Sequence, residues 1–292
     1  MATGGRIAAR ILQTLASEVK PGMSTGEIDI RARELIREAG VKPAFLGYNN
    51  FPAVICVSIN DEVVHGIPSP KRILNEGDIV GLDFGIVYDG WNLDTAVSIF
   101  VPRSGADYGA ERAGLARKAS QSEAESSEPP RRGGENEREA SRIKIQNELR
   151  NPLEDTTPGT DKVLELIEVT KQALDIGIAQ AQIGNHVGAI GHAIQTYVEQ
   201  YGFGVVRDLV GHGIGRKLHE APPVPNFGSP TEGPILKEGM VIAIEPMINA
   251  GDWRVTLDAD NWTYLTKDGS LSAHFEHTIA ITKEGPQILT IL

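Results

Sequence analysis

Apolar residues recur at helical spacing from the start of the chain: Ile7, Ile11, Leu12, Leu15 and Val19 form one stripe, and Pro21-Gly22 ends it. Ser24 or Thr25 then caps a second helix carrying Ile28, Ala32, Leu35 and Ile36, which stops at Gly40. Beyond Gly40 the pattern shifts to short apolar runs bounded by turn residues, predicting strands over residues 53–59, 78–87 and 92–101. Tyr88-Asp89-Gly90 separates the last two and predicts an antiparallel hairpin. The order then returns: helices over residues 170–181 and 187–201, strands over 240–249 and 273–282.

That return is a repeat. A shift of 162 residues lays Leu74-Asn75-Glu76-Gly77-Asp78-Ile79-Val80-Gly81-Leu82-Asp83 on Leu236-Lys237-Glu238-Gly239-Met240-Val241-Ile242-Ala243-Ile244-Glu245, and the same shift places Gly22 on Gly184, Gly26 on Gly188, Ile28 on Ile190 and Gly40 on Gly202. One offset over separate segments implies two similar halves, each a helical stretch followed by a strand ending in a carboxylate.

Residues 103–160, between the halves, contain no Phe, Trp, Val, Met or Cys, and their charges nearly cancel. Such a stretch buries too little apolar area to offset its ordering entropy and is expected to be a disordered insertion without chemistry; residues 135–149 have the composition of a short exposed helix. The remaining composition narrows the function. No apolar run approaches the roughly 18 residues that span a bilayer, and the N-terminus lacks a signal-peptide core, so a cytoplasmic protein is expected. A net charge of −11 gives no overall attraction to nucleic acid or anionic lipid. With Cys56 the only cysteine, any metal must be held by His, Asp and Glu.

The candidate chemistry lies in misplaced carboxylates. Asp83 sits inside the apolar run Ile79-Val80-Gly81-Leu82-Asp83-Phe84-Gly85-Ile86-Val87, where an ionised group is costly unless paired or bound to metal. Asp94 follows on the returning strand, almost opposite it, where facing Cβ atoms would be about 4.5–5.5 Å apart. An Asp on a solvated face, or one held by a lysine, is the alternative. The second half repeats the anomaly with Glu245, before Pro246, and Glu276 in Phe275-Glu276-His277-Thr278. His212 lies in Gly211-His212-Gly213-Ile214-Gly215, where glycines allow close approach of a ligand, although alone it also fits a structural role. Two divalent cations about 3.5–4 Å apart, bridged by carboxylates, would satisfy all five groups; mostly oxygen donors with one imidazole suit Mn, Fe, Co or Zn alike. His65 and His219, in polar loops, are either exposed histidines or donors to an oxyanion or leaving amine. His186, His192 and His274 read as structural, and His277 alternates away from Glu276.

Taken with Cys56-Val57-Ser58-Ile59-Asn60-Asp61-Glu62-Val63-Val64-His65-Gly66-Ile67-Pro68, Leu218-His219-Glu220, Ile244-Glu245-Pro246-Met247 and Ser270-Leu271-Ser272-Ala273-His274-Phe275-Glu276-His277-Thr278, these stretches resemble the type I methionine aminopeptidases of the pita-bread metallopeptidases. The resemblance covers nearly everything except residues 103–160. It implies an α+β pita-bread fold: two pseudo-symmetric halves with a curved antiparallel sheet flanked by helices, forming one M24-type catalytic domain over residues 1–292. Asp83, Asp94, His212, Glu245 and Glu276 would be the metal ligands, Asp94 and Glu276 bridging. His65 and His219 match substrate-contacting histidines, and Tyr48, Phe51, Cys56, Leu218 and Trp262 the pocket for a methionine side chain. Phe45 and Leu218 depart from the cysteine and aromatic residue of many bacterial relatives, and the long insertion departs too. The implied activity is dimetal hydrolysis releasing N-terminal methionine from peptides and nascent chains by a monomer acting near the ribosome, with Glu245 shuttling a proton. An Xaa-Pro dipeptidase or aminopeptidase P shares the fold and ligand set, and a non-catalytic binding protein of the same fold would have lost ligands that are all present here.

Overall fold

The computed structural model describes residues 1–103 and 160–292. The expected disorder of the insertion and the helix over residues 135–149 lie outside the described residues. Four helices are described: α1 (Ala2–Glu18), α2 (Thr25–Ala39), α3 (Thr160–Ala179) and α4 (Val187–Val198). The first half adds strands β1 (Lys42–Pro43), β2 (Cys56–Ile59), β3 (Glu62–Val64), β4 (Ile79–Tyr88) and β5 (Trp91–Phe100). The second adds β6 (Gly204–Val205), β7 (Gly211–Gly213), β8 (Glu220–Val224), β9 (Val241–Ile244), β10 (Met247–Asn249), β11 (Val255–Leu257), β12 (Tyr264–Thr266), β13 (Ser272–His274), β14 (Glu276–Thr282) and β15 (Gly285–Ile288). No helix among the described residues is long and apolar enough to cross a membrane.

Local chemistry accounts for the helix ends. Ser24 caps α2 in a reciprocal box, its Oγ accepting from the Glu27 amide and its own amide donating to Glu27 Oε2 at 2.7 Å. Gly40, at φ 67°, ends the helix in the left-handed region.

The repeat is structural. The Gly22 amide donates to Leu74 O and the Gly184 amide to Leu236 O; the Thr25 amide donates to Arg72 O and the Val187 amide to Pro234 O. Every partner is displaced by the same 162 positions. Gly22 and Gly184 share a positive φ, 81° and 91°, which only glycine adopts without strain. Each half has its own core: α1 and α2 cover Leu82, Phe84 and Ile86 of β4, whereas α3 and α4 cover Ile242 and Ile244 of β9 and Ile279 of β14.

A curved antiparallel sheet of nine strands joins the halves in the order β1-β4-β5-β14-β9-β7-β8, with β2 also on β4 and β15 on β14. The hairpin turns at Asp89-Gly90, with φ of 50° and 74°, as a two-residue turn of primed type requires. Its register corrects the expected opposition: Asp83 faces Ala96 and Asp94 faces Gly85, so the two aspartates are diagonal neighbours on one face.

The predicted strands over residues 240–249 and 273–282 are each broken in two. β9 and β14 pair within the large sheet, whereas β10 and β13 pair in a separate three-stranded sheet with β6. The switch falls at Glu245-Pro246 and at Phe275, side by side. Pro246 has no amide to donate, and the Asn226 side chain donates to Glu245 O at 3.0 Å in place of a ladder bond.

At the join of the halves, β5 and β14 share only the pairs Glu276 with Ala96 and His277 with Thr95. Buried hydroxyls extend this seam. Thr278 Oγ1 accepts from the Asp94 amide at 3.0 Å and donates to Asp94 O at 2.8 Å, Thr95 Oγ1 donates to Glu276 O, and Ser98 Oγ donates to His274 O while accepting from the His274 amide. Thr278→Val leaves the buried Asp94 amide and carbonyl without that partner and should cost about 1–3 kcal/mol in urea unfolding. Thr278→Ser should lose less; a valine variant as stable as the parent would show that the hydroxyl contributes nothing to the seam.

Candidate metal centre

Asp83 comes from β4, Asp94 from β5, and Glu276 from the first position of β14, beside Ala96. Glu245 follows β9 at the sheet switch, and His212 is the centre of β7, whose neighbour Gly213 pairs with Ile242 of β9. All five line one cleft. Donor atoms of Asp94, His212 and Glu276 lie within 4.8 Å of one another. His212 Nε2 is 3.6 Å from Glu245 Oε1, about the separation of two atoms sharing one cation through bonds of about 2.0–2.2 Å.

The electrostatics favour a cation. Asp83, Asp94 and Glu276 are buried, which excludes the solvated-face alternative. Among the described residues, the only basic groups within ion-pair distance of the four carboxylates are imidazoles, His212 and His274 at Glu245, so no lysine holds the aspartates. Burial holds both rings neutral at pH 7, lowering His212 to about 4 and His274 to about 3. The carboxylates respond as uncompensated buried charges do. Burial, then their mutual repulsion, raises Asp83, Glu245 and Glu276 well above the usual range, and burial lifts Asp94 to about 7. Asp83 Oδ1 and Glu276 Oε1 are buried without a hydrogen-bond partner among the described residues. Orphaned oxygens, crowded acids and adjacent neutral imidazoles fit divalent cations.

The other predicted residues surround this cluster. Cys56 stands opposite Asp83 in the β2–β4 ladder, and burial, then Asp83, raises its thiol pKa. Phe45, Phe51, Cys56 and Leu218 pack as an apolar wall, with Tyr48 and Trp262 against it and Phe51 edge-on to Trp262. His219 is at the mouth, its Nδ1 2.6 Å from Tyr48 Oη and its ring 4.2 Å from that of His212. His65 holds a left-handed φ of 62°, a conformation that costs energy in a non-glycine residue and is common at functional sites. Its ring lies between Trp262 and Tyr264, and burial lowers its pKa to about 4. As expected, His192 is exposed and His277 turns away, its Nδ1 3.0 Å from Thr290 Oγ1.

Sequence reasoning missed His274, whose buried Nε2 is 3.8 Å from Glu245 Oε2. It also missed Asn226, Ser98 and Thr278, which hold the backbone of the cluster. The break at Pro246 was the available signal for His274: once Glu245 leaves the strand, the residue opposite Met247 comes beside it.

Known proteins share this arrangement. A methionine aminopeptidase of Clostridium acetobutylicum is 39% identical over 291 residues, covering 100% of this chain and 94% of that protein. Methionine aminopeptidase 1 of Bacillus subtilis is 41% identical over 290 residues, covering 99% and 94%. The crystal structure of a methionine aminopeptidase from Thermotoga maritima superposes with a TM-score of 0.79 at 36% identity, covering 100% of this chain and 95% of that one. The sequence pattern described as metallopeptidase family M24 matches residues 1–143 and 154–283, taking in both halves and each of the five clustered side chains, and the chain therefore belongs to that family.

Proposed function

We propose that this chain is a dimetal aminopeptidase that removes N-terminal methionine from peptides and nascent proteins, acting as a cytoplasmic monomer formed by one catalytic domain over residues 1–292. The observation that carries this reading is the buried four-carboxylate cluster, without a lysine or arginine partner among the described residues, opening directly onto an apolar wall. Full-length similarity to methionine aminopeptidases supports the choice of substrate.

Asp83, Asp94, His212, Glu245 and Glu276 would hold the two cations, with Asp94 and Glu276 coming from adjoining strands. Bound divalent cations of the Mn, Fe, Co or Zn class supply Lewis acidity at the scissile carbonyl and a water of lowered pKa. The wall of Phe45, Phe51, Cys56, Leu218 and Trp262 takes an unbranched, polarizable methionine side chain and excludes water. The Glu245 carboxylate accepts the proton of the attacking water and passes it to the leaving amine. With the Tyr48 hydroxyl donating to Nδ1, a neutral His219 carries its proton on Nε2 and donates it to the developing oxyanion. His65, beside Trp262, contacts the substrate and assists departure of the amine.

An Xaa-Pro peptidase uses the same ligand chemistry, so metal content together with turnover of Met-Ala-Ser against Ala-Pro peptides is the deciding experiment. Cleavage of Ala-Pro alone would sink the methionine reading, and a folded, metal-free, inactive chain would favour a binding protein.

Asp94→Asn should abolish turnover and lower the metal stoichiometry while circular dichroism stays unchanged; full activity in the purified variant would exclude a bridging role. His219→Ala should lower kcat by about 100-fold or more, the scale for losing one oxyanion donor, with bound metal nearly unchanged. Parallel loss of metal would make His219 a ligand instead. Every residue given a role lies outside residues 104–159, so replacing residues 107–157 with a few Gly and Ser should leave kcat/KM on a free tripeptide within a few-fold. A loop costs only about 0.6 kcal/mol per doubling of its length. A folded, metal-binding deletion that fails to cleave the tripeptide would place the insertion in the active site.

A further inference from the structure

None of the roles above uses His274, yet the fold places it with care. Its side chain is 4% exposed. Its amide and carbonyl are both engaged by Ser98 Oγ, at 2.8 and 3.0 Å, and it pairs with Met247 across β13 and β10. The ring therefore projects from a backbone fixed on two sides. Its Nε2 is buried without a hydrogen-bond partner among the described residues, a state that buried polar atoms rarely keep. The nearest acid is Glu245, whose Oε2 lies 3.8 Å away, beyond hydrogen-bond range but within reach of a shift of less than about 1 Å. The other oxygen of the same carboxylate, Oε1, is 3.6 Å from His212 Nε2. Glu245 thus lies between two imidazoles, one on each oxygen.

We infer that His274 is a positioning residue for Glu245: its Nε2–H donates to Oε2 and keeps Oε1 turned toward His212, so that Oε1 and His212 Nε2 meet the same cation. This rests on the reading of the cluster as a divalent-metal centre. Groups that orient a metal ligand through a hydrogen bond typically change metal affinity or activity by about 10–100-fold when removed. The orphaned Nε2 also explains why no protein partner satisfies it: its acceptor comes into range only when Glu245 is drawn into place.

The test uses the full chain with His274→Leu, His274→Asn and His274→Gln. A glutamine amide nitrogen sits where Nε2 does and can donate, an asparagine amide falls short of that point, and leucine has no donor. Three readouts apply: Mn(II) titration of the metal-free protein by calorimetry, the visible absorption of the Co(II)-loaded protein, and kcat and KM on Met-Ala-Ser. Leucine and asparagine should weaken Mn(II) binding about 10-fold or more and alter the Co(II) bands, whereas glutamine should restore both to within a few-fold of the parent. Whichever of the leucine and asparagine variants folds serves as the donor-free form. Parent-like Mn(II) affinity and Co(II) bands in that form would overturn the inference while leaving the proposed function intact. A folded glutamine variant no better than the donor-free form would also overturn it, since the ring would then act as a direct ligand. Failure of the parent itself to bind Mn(II) would overturn the metal-centre reading and this inference with it.

Discussion

Four carboxylates gathered on one buried sheet face repel one another, and the frame around them must hold them in place. Nothing cationic among their described neighbours relieves that repulsion, because the adjacent imidazoles are neutral. The protein anchors the backbones instead of the charges. Asp94 is held at its amide and carbonyl by Thr278, Glu276 at its carbonyl by Thr95, and Glu245 at its carbonyl by Asn226. Each contact involves a side chain where the regular ladder is short or broken. The frame fixes the positions of the acids and leaves oxygens of Asp83 and Glu276 unpaired, which is how a cation site differs from a structural ion pair.

The acids and the frame were not equally legible in the sequence. Asp83 and Asp94 stood out because a carboxylate within a run such as Ile79 to Val87 is expensive, and that cost does not depend on knowing the partner strand. The repeat was legible because both halves build the same glycine turn at Gly22 and Gly184. The hairpin was read from Asp89-Gly90, but its register was not. Placing the aspartates directly opposite required a turn position one residue different, and the diagonal arrangement still puts both on one face.

The frame was hidden for a physical reason. Thr95, Ser98 and Thr278 look like ordinary strand residues, since serine and threonine on a sheet face have no local signature of a partner far along the chain. Ser98 and His274 are 176 positions apart, and Asp94 and Thr278 184. The continuous strands expected over residues 240–249 and 273–282 obscured the switch between sheets, and with it His274. Apolar periodicity persists through Glu245-Pro246 because both sheets bury the same kind of side chain; the missing amide of Pro246 is the one local mark of the break.

The repeat has a consequence for how such a site can change over time. Under the 162-residue offset Asp83 coincides with Glu245, and the hairpin strand carrying Asp94 has its counterpart in β14 with Glu276, so each half contributes two acids. The imidazoles do not obey this relation: the position matching His212 is Asn50, His212, His219 and His274 belong to the second half, and His65, whose counterpart is Phe227, belongs to the first. The acids therefore follow the repeat, and the histidines around them do not. A substitution at one of these histidines therefore touches a feature built once, whereas a change at Asp83 or Glu245 breaks a feature that the fold builds twice.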